Sequence, residues 1–334
     1  AVVAGLGTAS LAVAGGFPLG IFPLNPDAVK PPQAEVELGK RLFFDKVLSR
    51  DGTVSCATCH IPEEAFAQRG KAVSTGVDGK TGRRNSPSLL NVAFTRHLFL
   101  DGRSTSLEDQ AWQPILADEE MGNKSVEEVL ERLAHTPAYP PLFEKVFGID
   151  RPDKESVAKA LAGFQRSLLS GNSPFDRWYW GGEKDAMSPA AINGFDLFAG
   201  QAQCWQCHQV AGDDGLLFTD DQFQNTGVSW RSEQERKRRA TANKAPPKPD
   251  LGRFEVTGRR IDQRQFKTPS LRNVALTPPY MHDGSLKTLK EVVEFYNRGG
   301  GDGTMLPLNL DDAEVASIVE FLLCLTGDQK HTTP

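Results

Sequence analysis

Along most of this chain apolar residues return every three or four positions, which lines them up on one face of an α-helix. Val36, Leu38, Leu42 and Phe43 make such a stripe between Ala34 and Asp45. Ser125 to His135 opens on Ser125-Val126-Glu127-Glu128, a capping-box pattern, and Lys154 to Leu169 keeps the helical period. Ser188-Pro189 starts a further helix through Phe195 and Phe198. Thr288 to Tyr296 begins like a capped helix, and Asp311 to Leu325 is amphipathic with Gly327 as its stop. Strict apolar–polar alternation is almost missing, so the expected fold is mainly α with little β.

Two stretches break the pattern. Ala1 to Phe22 is uncharged and rich in Ala, Gly, Val and Leu, like the apolar part of an export signal or a retained membrane anchor, and Pro23 to Pro32 reads as a linker. Arg231 to Lys248 holds Arg236, Lys237, Arg238, Arg239 and Lys244 with almost no large apolar residue. It reads as a solvated loop, or as a docking patch for an acidic partner protein. The length of 334 residues allows two cores, and 39% hydrophobic with 24% charged residues is an ordinary globular balance. The net charge of -5 argues against nucleic acid as a partner.

The chemistry is carried by Cys56-Ala57-Thr58-Cys59-His60 and its second copy, Cys204-Trp205-Gln206-Cys207-His208. Cys-x-x-Cys-His is the spacing of covalent c-type haem attachment, in which two thiols capture the vinyl groups and the histidine reaches the iron. A zinc site built from two Cys-x-x-Cys pairs needs no histidine after either one, yet it follows both. Two c-type haems are therefore expected, and because bacteria attach such haems outside the cytoplasm, so is a periplasmic location. The fifth cysteine, Cys324, lies in an apolar run and reads as a small core residue.

An internal repeat relates the halves. Ser86-Pro87-Ser88-Leu89-Leu90-Asn91-Val92-Ala93 matches Thr268-Pro269-Ser270-Leu271-Arg272-Asn273-Val274-Ala275 at an offset of 182 (268 minus 86), and Asp101-Gly102 meets Asp283-Gly284 without a gap. This predicts two cytochrome c-like haem domains in tandem, related by a pseudo-twofold, at 33–180 and 181–334 after a leader at 1–32. The same offset sets Pro114 opposite Tyr296, and only the tyrosine can ligate iron. His97, His135, His282, Met281 and Met305 remain as further candidate ligands. Gln110 and Glu120 bracket Pro114, with Glu120 the better candidate for moving a proton between peroxide oxygens.

These residues resemble the bacterial dihaem cytochrome c peroxidase and MauG family over nearly all of the chain after about Pro32. The resemblance rests on the two haem motifs, Asn85-Ser86-Pro87-Ser88, Asp101-Gly102-Arg103, Gln110, Glu120-Met121-Gly122, Thr268 to Asn273 and Pro279-Tyr280-Met281-His282-Asp283-Gly284. It implies His60 as proximal ligand of a peroxide-reacting haem with Gln110, Pro114 and Glu120 on its distal side, and His208 with Tyr296 on the second haem. It also implies a calcium ion held by Asn85, Thr277 and Pro279. Tyrosine at 296 matches MauG-like members, where ordinary cytochrome c peroxidases place methionine. No histidine follows His60 before His97, whereas those peroxidases carry a blocking histidine shortly after the first motif.

The implied activity is peroxide-driven oxidation, via high-valent iron, of an aromatic residue of a partner protein, tryptophan above all. Two readings stand beside it: a cytochrome c peroxidase fed by a small redox protein, and a dihaem electron-transfer cytochrome. Two positions depart from the family. Leu100 stands where a tryptophan lies between the haems, and Ala202 stands where MauG has one before the second motif, although Trp205 sits inside that motif.

Overall fold

The computed structural model describes residues 17–21, 30–209, 217–239, 249–302 and 305–330. In chain order its elements are α1 (Gln33–Phe44), α2 (Cys56–Cys59), α3 (Leu107–Leu116), α4 (Val126–His135), α5 (Pro140–Phe147), α6 (Lys154–Ser167), β1 (Leu169–Gly171), α7 (Pro174–Tyr179), α8 (Pro189–Ala199) and β2 (Phe223–Gln224). There follow α9 (Val228–Arg239), α10 (Phe254–Thr257), β3 (Phe266–Lys267), α11 (Leu289–Asn297), α12 (Asp312–Leu323) and β4 (Asp328–Lys330). β1 pairs antiparallel with β4, and β2 with β3. The protein is mainly helical, as the periodicity predicts. The predicted caps form: Ser125 Oγ accepts from the Glu128 N–H and Thr288 makes a reciprocal capping box, while Asp311 makes another that the sequence reading did not name.

Two hydrophobic cores lie in series. The first gathers Leu42, Phe43, Phe66, Phe143 and Phe164, and the second Phe175, Phe195, Phe198, Phe218 and Phe321. Each is built on a helix crossing too close for a side chain. A Cβ on Gly39 of α1 would lie 1.8 Å from the Ala160 carbonyl of α6, and one on Gly194 of α8 would lie 1.9 Å from the Ser317 carbonyl of α12. The repeat continues in the backbone. Asn91 and Asn273 share a left-handed φ of 60°, the bridges Leu98↔Ser104 and Tyr280↔Leu286 are equivalent at the 182-residue offset, and α3 and α11 start at equivalent residues. Both asparagines converge on Ser170: Asn91 Nδ2 donates to its carbonyl (2.8 Å) and Asn273 Nδ2 to its Oγ (2.9 Å).

Four features differ from the sequence reading. The basic run begins as a helix, since α9 extends to Arg239. Its Glu, Gln, Lys and Arg residues are good helix formers and no proline intervenes before Pro246. Residues 240–248 lie outside the described residues. α12 ends on Cys324 rather than at Gly327, whose N–H instead donates to Asn273 Oδ1. Phe175 of α7 is fully buried in the second core, so we propose that the halves divide near Asn172 rather than after Trp180.

The fourth lies in the segment read as leader. Phe17 and Ile21 are buried with Phe94 and Leu217, and the Gly20 carbonyl accepts from Arg272 Nη2 (2.9 Å). The rest of the export-signal and linker reading, 1–16 and 22–29, lies outside the described residues. No helix among the described residues is long and apolar enough to cross a membrane.

The halves are tied by charge. Arg84 donates to Asp101 (2.5 Å) and, through Nε and Nη2, to Asp250 (both 2.8 Å), while Arg253 donates to the Asp101 and Gly102 carbonyls. Burial by itself would raise the Asp250 carboxyl. The paired bonds and charge of Arg84, helped by the Gly252 N–H, outweigh it and hold the group at about 2 instead of 3.8. A depressed carboxyl stabilises the fold above its unfolded pKa, and that contribution is lost as pH falls through the folded one. Between about pH 4 and 2 the protein should therefore lose about 2 kcal/mol through this group. Urea titrations of wild type and Asp250→Asn at pH 6 and pH 2.5 check it; an equal loss in both would exclude the contribution.

Candidate haem sites

In the first motif the four-residue helix α2 is set by Ser55, whose N–H donates to Thr58 Oγ1 (2.9 Å). It presents Cys56 and Cys59 as free thiols ahead of His60. Burial pushes the Cys56 thiol up to about 12, with Cys59 and Glu120 adding to it. His60 Nδ1 lies 2.9 Å from the Phe66 carbonyl. A carbonyl can only accept, so Nδ1 carries the proton and Nε2 keeps its lone pair for a metal. The loop bearing that carbonyl is pinned by Ser88 Oγ, which donates to the Ala65 carbonyl (2.5 Å).

The second motif repeats the device. His208 Nδ1 lies 2.9 Å from the Phe218 carbonyl, and Ser270 Oγ donates to the Leu217 carbonyl (2.6 Å). Ser88 and Ser270 are equivalent in the repeat. Sequence reasoning noticed their pattern and missed their work: the repeated Ser/Thr-Pro-Ser pins the residue just before the one whose carbonyl holds the histidine. Burial lowers the basicity of both imidazoles, against the raising effect of these carbonyls.

Pro114 and Tyr296 occupy the same place in equivalent helices, α3 and α11. Pro114 lies inside α3, and having no N–H it cannot bond back to the carbonyl of Gln110, four residues earlier. Gln110 lies on the same face, and its buried Oε1 has no hydrogen-bond partner. Glu120 lies exposed on the turn after α3, with neighbouring protein atoms crowding its carboxyl. Partial loss of water raises the carboxyl pKa, Arg103 opposes this and Glu119 adds to it. Its charge reaches Cys56 and Cys59. Its backbone is seated on Gly76, where a Cβ would meet the Glu120 carbonyl at 2.4 Å and its Cα at 2.7 Å. Tyr296 is half-buried, and the loss of water around its phenol pushes it up to about 12, with the facing Cys204 and Cys207 adding to the shift.

The spare histidines are engaged elsewhere. His97 faces Asp221 (3.4 Å) and Phe223, His135 sits beside Glu131 on exposed α4, and His282 stacks on Phe266 at 3.7 Å. Met281 packs in the same small cluster as Tyr296. The Leu100 carbonyl accepts from the Lys267 N–H (2.8 Å) across the two halves. The neighbouring Phe99 packs with Leu98 and Leu107, its ring covered by the Arg103 guanidinium at 3.4 Å. Ala202 is buried in the second core, and Trp205 is 47% exposed.

Asn85 and the 277–279 segment both meet residues 70–72: Asn85 Nδ2 donates to the Lys71 and Ala72 carbonyls (3.1 Å each), and the Gly70 N–H to the Pro278 carbonyl (2.9 Å). Among the described residues no three His, Cys, Asp or Glu side chains group as a metal site. A cation here would rely on amide and carbonyl oxygens.

Each half thus offers two unpaired thiols and an imidazole whose Nε2 is free by tautomer, and the first adds an unpartnered buried amide oxygen. These residues fit a covalently held haem in each half, which makes the chain a dihaem c-type cytochrome. More narrowly, it belongs to the di-haem cytochrome c peroxidase/MauG family of haem oxidoreductases. Residues 33–184 match the di-haem cytochrome c peroxidase model and 191–326 the cytochrome c model. The chain is 39% identical to the methylamine utilization protein MauG of Methylorubrum extorquens, across 92% of this chain and 84% of that one. It is 37% identical to the cytochrome-c peroxidase IdrP1 of Denitromonas iodatirespirans, across 99% and 94%. The crystal structure of a MauG-like protein associated with microbial copper homeostasis superposes with a TM-score of 0.78 at 30% identity, covering 95% of this chain and 96% of that one.

Proposed function

We propose that this protein uses hydrogen peroxide to oxidise an aromatic residue, tryptophan above all, of a partner protein outside the cytoplasm. The observation that carries the reading is Tyr296, half-buried in α11 at the position Pro114 takes in α3, facing Cys204 and Cys207. His60 and His208 act as proximal ligands and Tyr296 as the second ligand of the C-terminal haem. The haems, when bound, supply iron that exchanges electrons with peroxide, and an anionic phenolate favours its oxidised state.

The chain's own residues supply the rest. Pro114 offers no ligating atom, which leaves room for peroxide beside it. Gln110 Oε1, a buried acceptor without a partner, takes a hydrogen bond from a peroxide O–H. The Glu120 carboxyl, its pKa raised by partial loss of water, would accept a proton from one peroxide oxygen and return it to the other, so that the O–O bond breaks and water leaves while the bound haems would supply the two electrons. His97 and His135 each lie beside a carboxylate, Asp221 and Glu131. A calcium ion held by Asn85 Oδ1 and the Thr277 and Pro279 carbonyls would brace the two halves. Covalent haem attachment supports the periplasmic location.

The relatives named as cytochrome-c peroxidases favour a second reading, in which a small redox protein supplies electrons and peroxide ends as water. Absorption and EPR spectra of the as-purified diferric holoprotein, taken with elemental analysis for calcium, separate the two. We expect mixed high-spin and low-spin signals, lost on one equivalent of peroxide without reductant, and about one calcium per chain. Two low-spin haems that ignore peroxide until one is reduced would point to the second reading, and a calcium-free preparation that is equally active would remove the ion. Tyr296→Met should raise the second haem's potential by on the order of 0.1 V, within the roughly 0.8 V over which axial ligands act. An unchanged potential would mean that Tyr296 is not a ligand.

A further inference from the structure

The chain has 19 phenylalanines but only 5 tryptophans and 4 tyrosines, and three of those nine stand in a row: Trp178, Tyr179 and Trp180. They close α7 and are half-buried, so each reaches the surface. Their inner end leads to the second haem motif by unbroken contact. His208 Nδ1 bonds the Phe218 carbonyl (2.9 Å), the Phe218 ring meets Phe175 at 5.3 Å, and Phe175 stacks on Tyr179 at 5.2 Å with ring planes 16° apart. From Tyr179 the next rings are Trp180 at 4.9 Å and Trp178 at 6.0 Å.

Phenyl rings hold no positive charge at ordinary potentials, whereas phenol and indole give up an electron readily once a proton can leave with it. Two phenylalanines therefore bridge His208 to a cluster of three oxidisable rings at the surface. Packing alone does not call for this composition, because the buried aromatic rings of this core are all phenylalanine.

We propose that Trp178, Tyr179 and Trp180 drain oxidising equivalents from the second haem site to solvent when no substrate protein is docked, sparing the haems and the core. One hydrogen peroxide going to two waters takes up two electrons and two protons. Tyr179 gives one electron with its phenolic proton, and an adjacent tryptophan gives one electron with its indole proton. A small one-electron donor in solvent, such as ascorbate, restores each ring. The inference rests on the peroxide reading above.

The test treats diferric holoprotein with hydrogen peroxide, without substrate, in the presence of the radical trap 2-methyl-2-nitrosopropane, followed by trypsin and mass spectrometry. Cleavage after Arg177 and Lys184 isolates all three rings in one peptide. That peptide should carry most of the trap, lose it when ascorbate is present, and lose it in Tyr179→Phe, whose haem should also bleach sooner under repeated peroxide. Peroxide consumed with the trap found only at exposed Trp205 or Trp230, or nowhere, overturns the inference and leaves the peroxide reading standing. Peroxide left unconsumed overturns both.

Discussion

Glu120→Gln slows peroxide consumption by the holoprotein about a hundred- to ten-thousandfold, the range for lost acid–base assistance. Glutamine keeps the size and hydrogen-bonding reach of the side chain and removes only its ability to take and return a proton. The haem spectra in the resting state should be unchanged, because Glu120 is not among the haem ligands and its backbone stays held by its own turn. Position matters as much as basicity. The Glu120 backbone rests against Gly76, and the Val77 N–H donates to its carbonyl (2.9 Å), so Gly76→Ala should shift the carboxyl and lower the rate while leaving a carboxyl present. Stopped-flow rates across pH read both variants. If Glu120→Gln reacts at the wild-type rate, the carboxyl is a surface group and the proton moves through water.

Arg272→Met destabilises the protein by about 3–5 kcal/mol, the cost of stranding one member of a buried ion pair. The Arg272 and Asp176 side chains are 2% and 0% exposed, and both Nη atoms donate to the carboxylate at 2.9 Å. Asp176 also accepts from the Ser173 N–H and Oγ, so its charge remains solvated by the α7 N-terminus while losing the Arg272 countercharge. The variant should shift the urea midpoint, and Arg272→Met with Asp176→Asn together should recover much of the loss. A midpoint unmoved in Arg272→Met would show that the pair carries no net weight. The same guanidinium holds the Gly20 carbonyl, so the single variant should also loosen Phe17 and Ile21 and expose them to protease first.

Much of this molecule is written locally. The two Cys-x-x-Cys-His motifs need no tertiary information, because covalent attachment requires thiols and an imidazole at fixed spacing. The caps at Ser125 and Thr288 were legible because a cap and its partner lie three residues apart. The match between Pro114 and Tyr296 was legible from the repeat, and the common start of α3 and α11 gives it a structural basis. Where local rules competed, the reading failed. Charge density in 231–239 pointed to a loop, but the same residues have high helix propensity, and α9 follows propensity. Within the uncharged 1–22 stretch only 17–21 are described, and the burial of Phe17 and Ile21 there depends on Phe94 and Leu217, far along the chain, which no local rule shows.

What the sequence by itself determined is the chemistry and the periodicity: two haem motifs, helices with their caps, a repeat, and one tyrosine where its twin is proline. Only the tertiary structure decided which carbonyl sets each histidine tautomer, that Arg84 meets Asp250 across 166 positions, that Gly76 seats Glu120, and that Trp178, Tyr179 and Trp180 lie at the end of a ring path from His208. The reason is physical. Spacing and propensity act within a turn or two of chain, whereas desolvation, ion pairing and ring contact depend on which distant segments the two cores bring within a few ångströms.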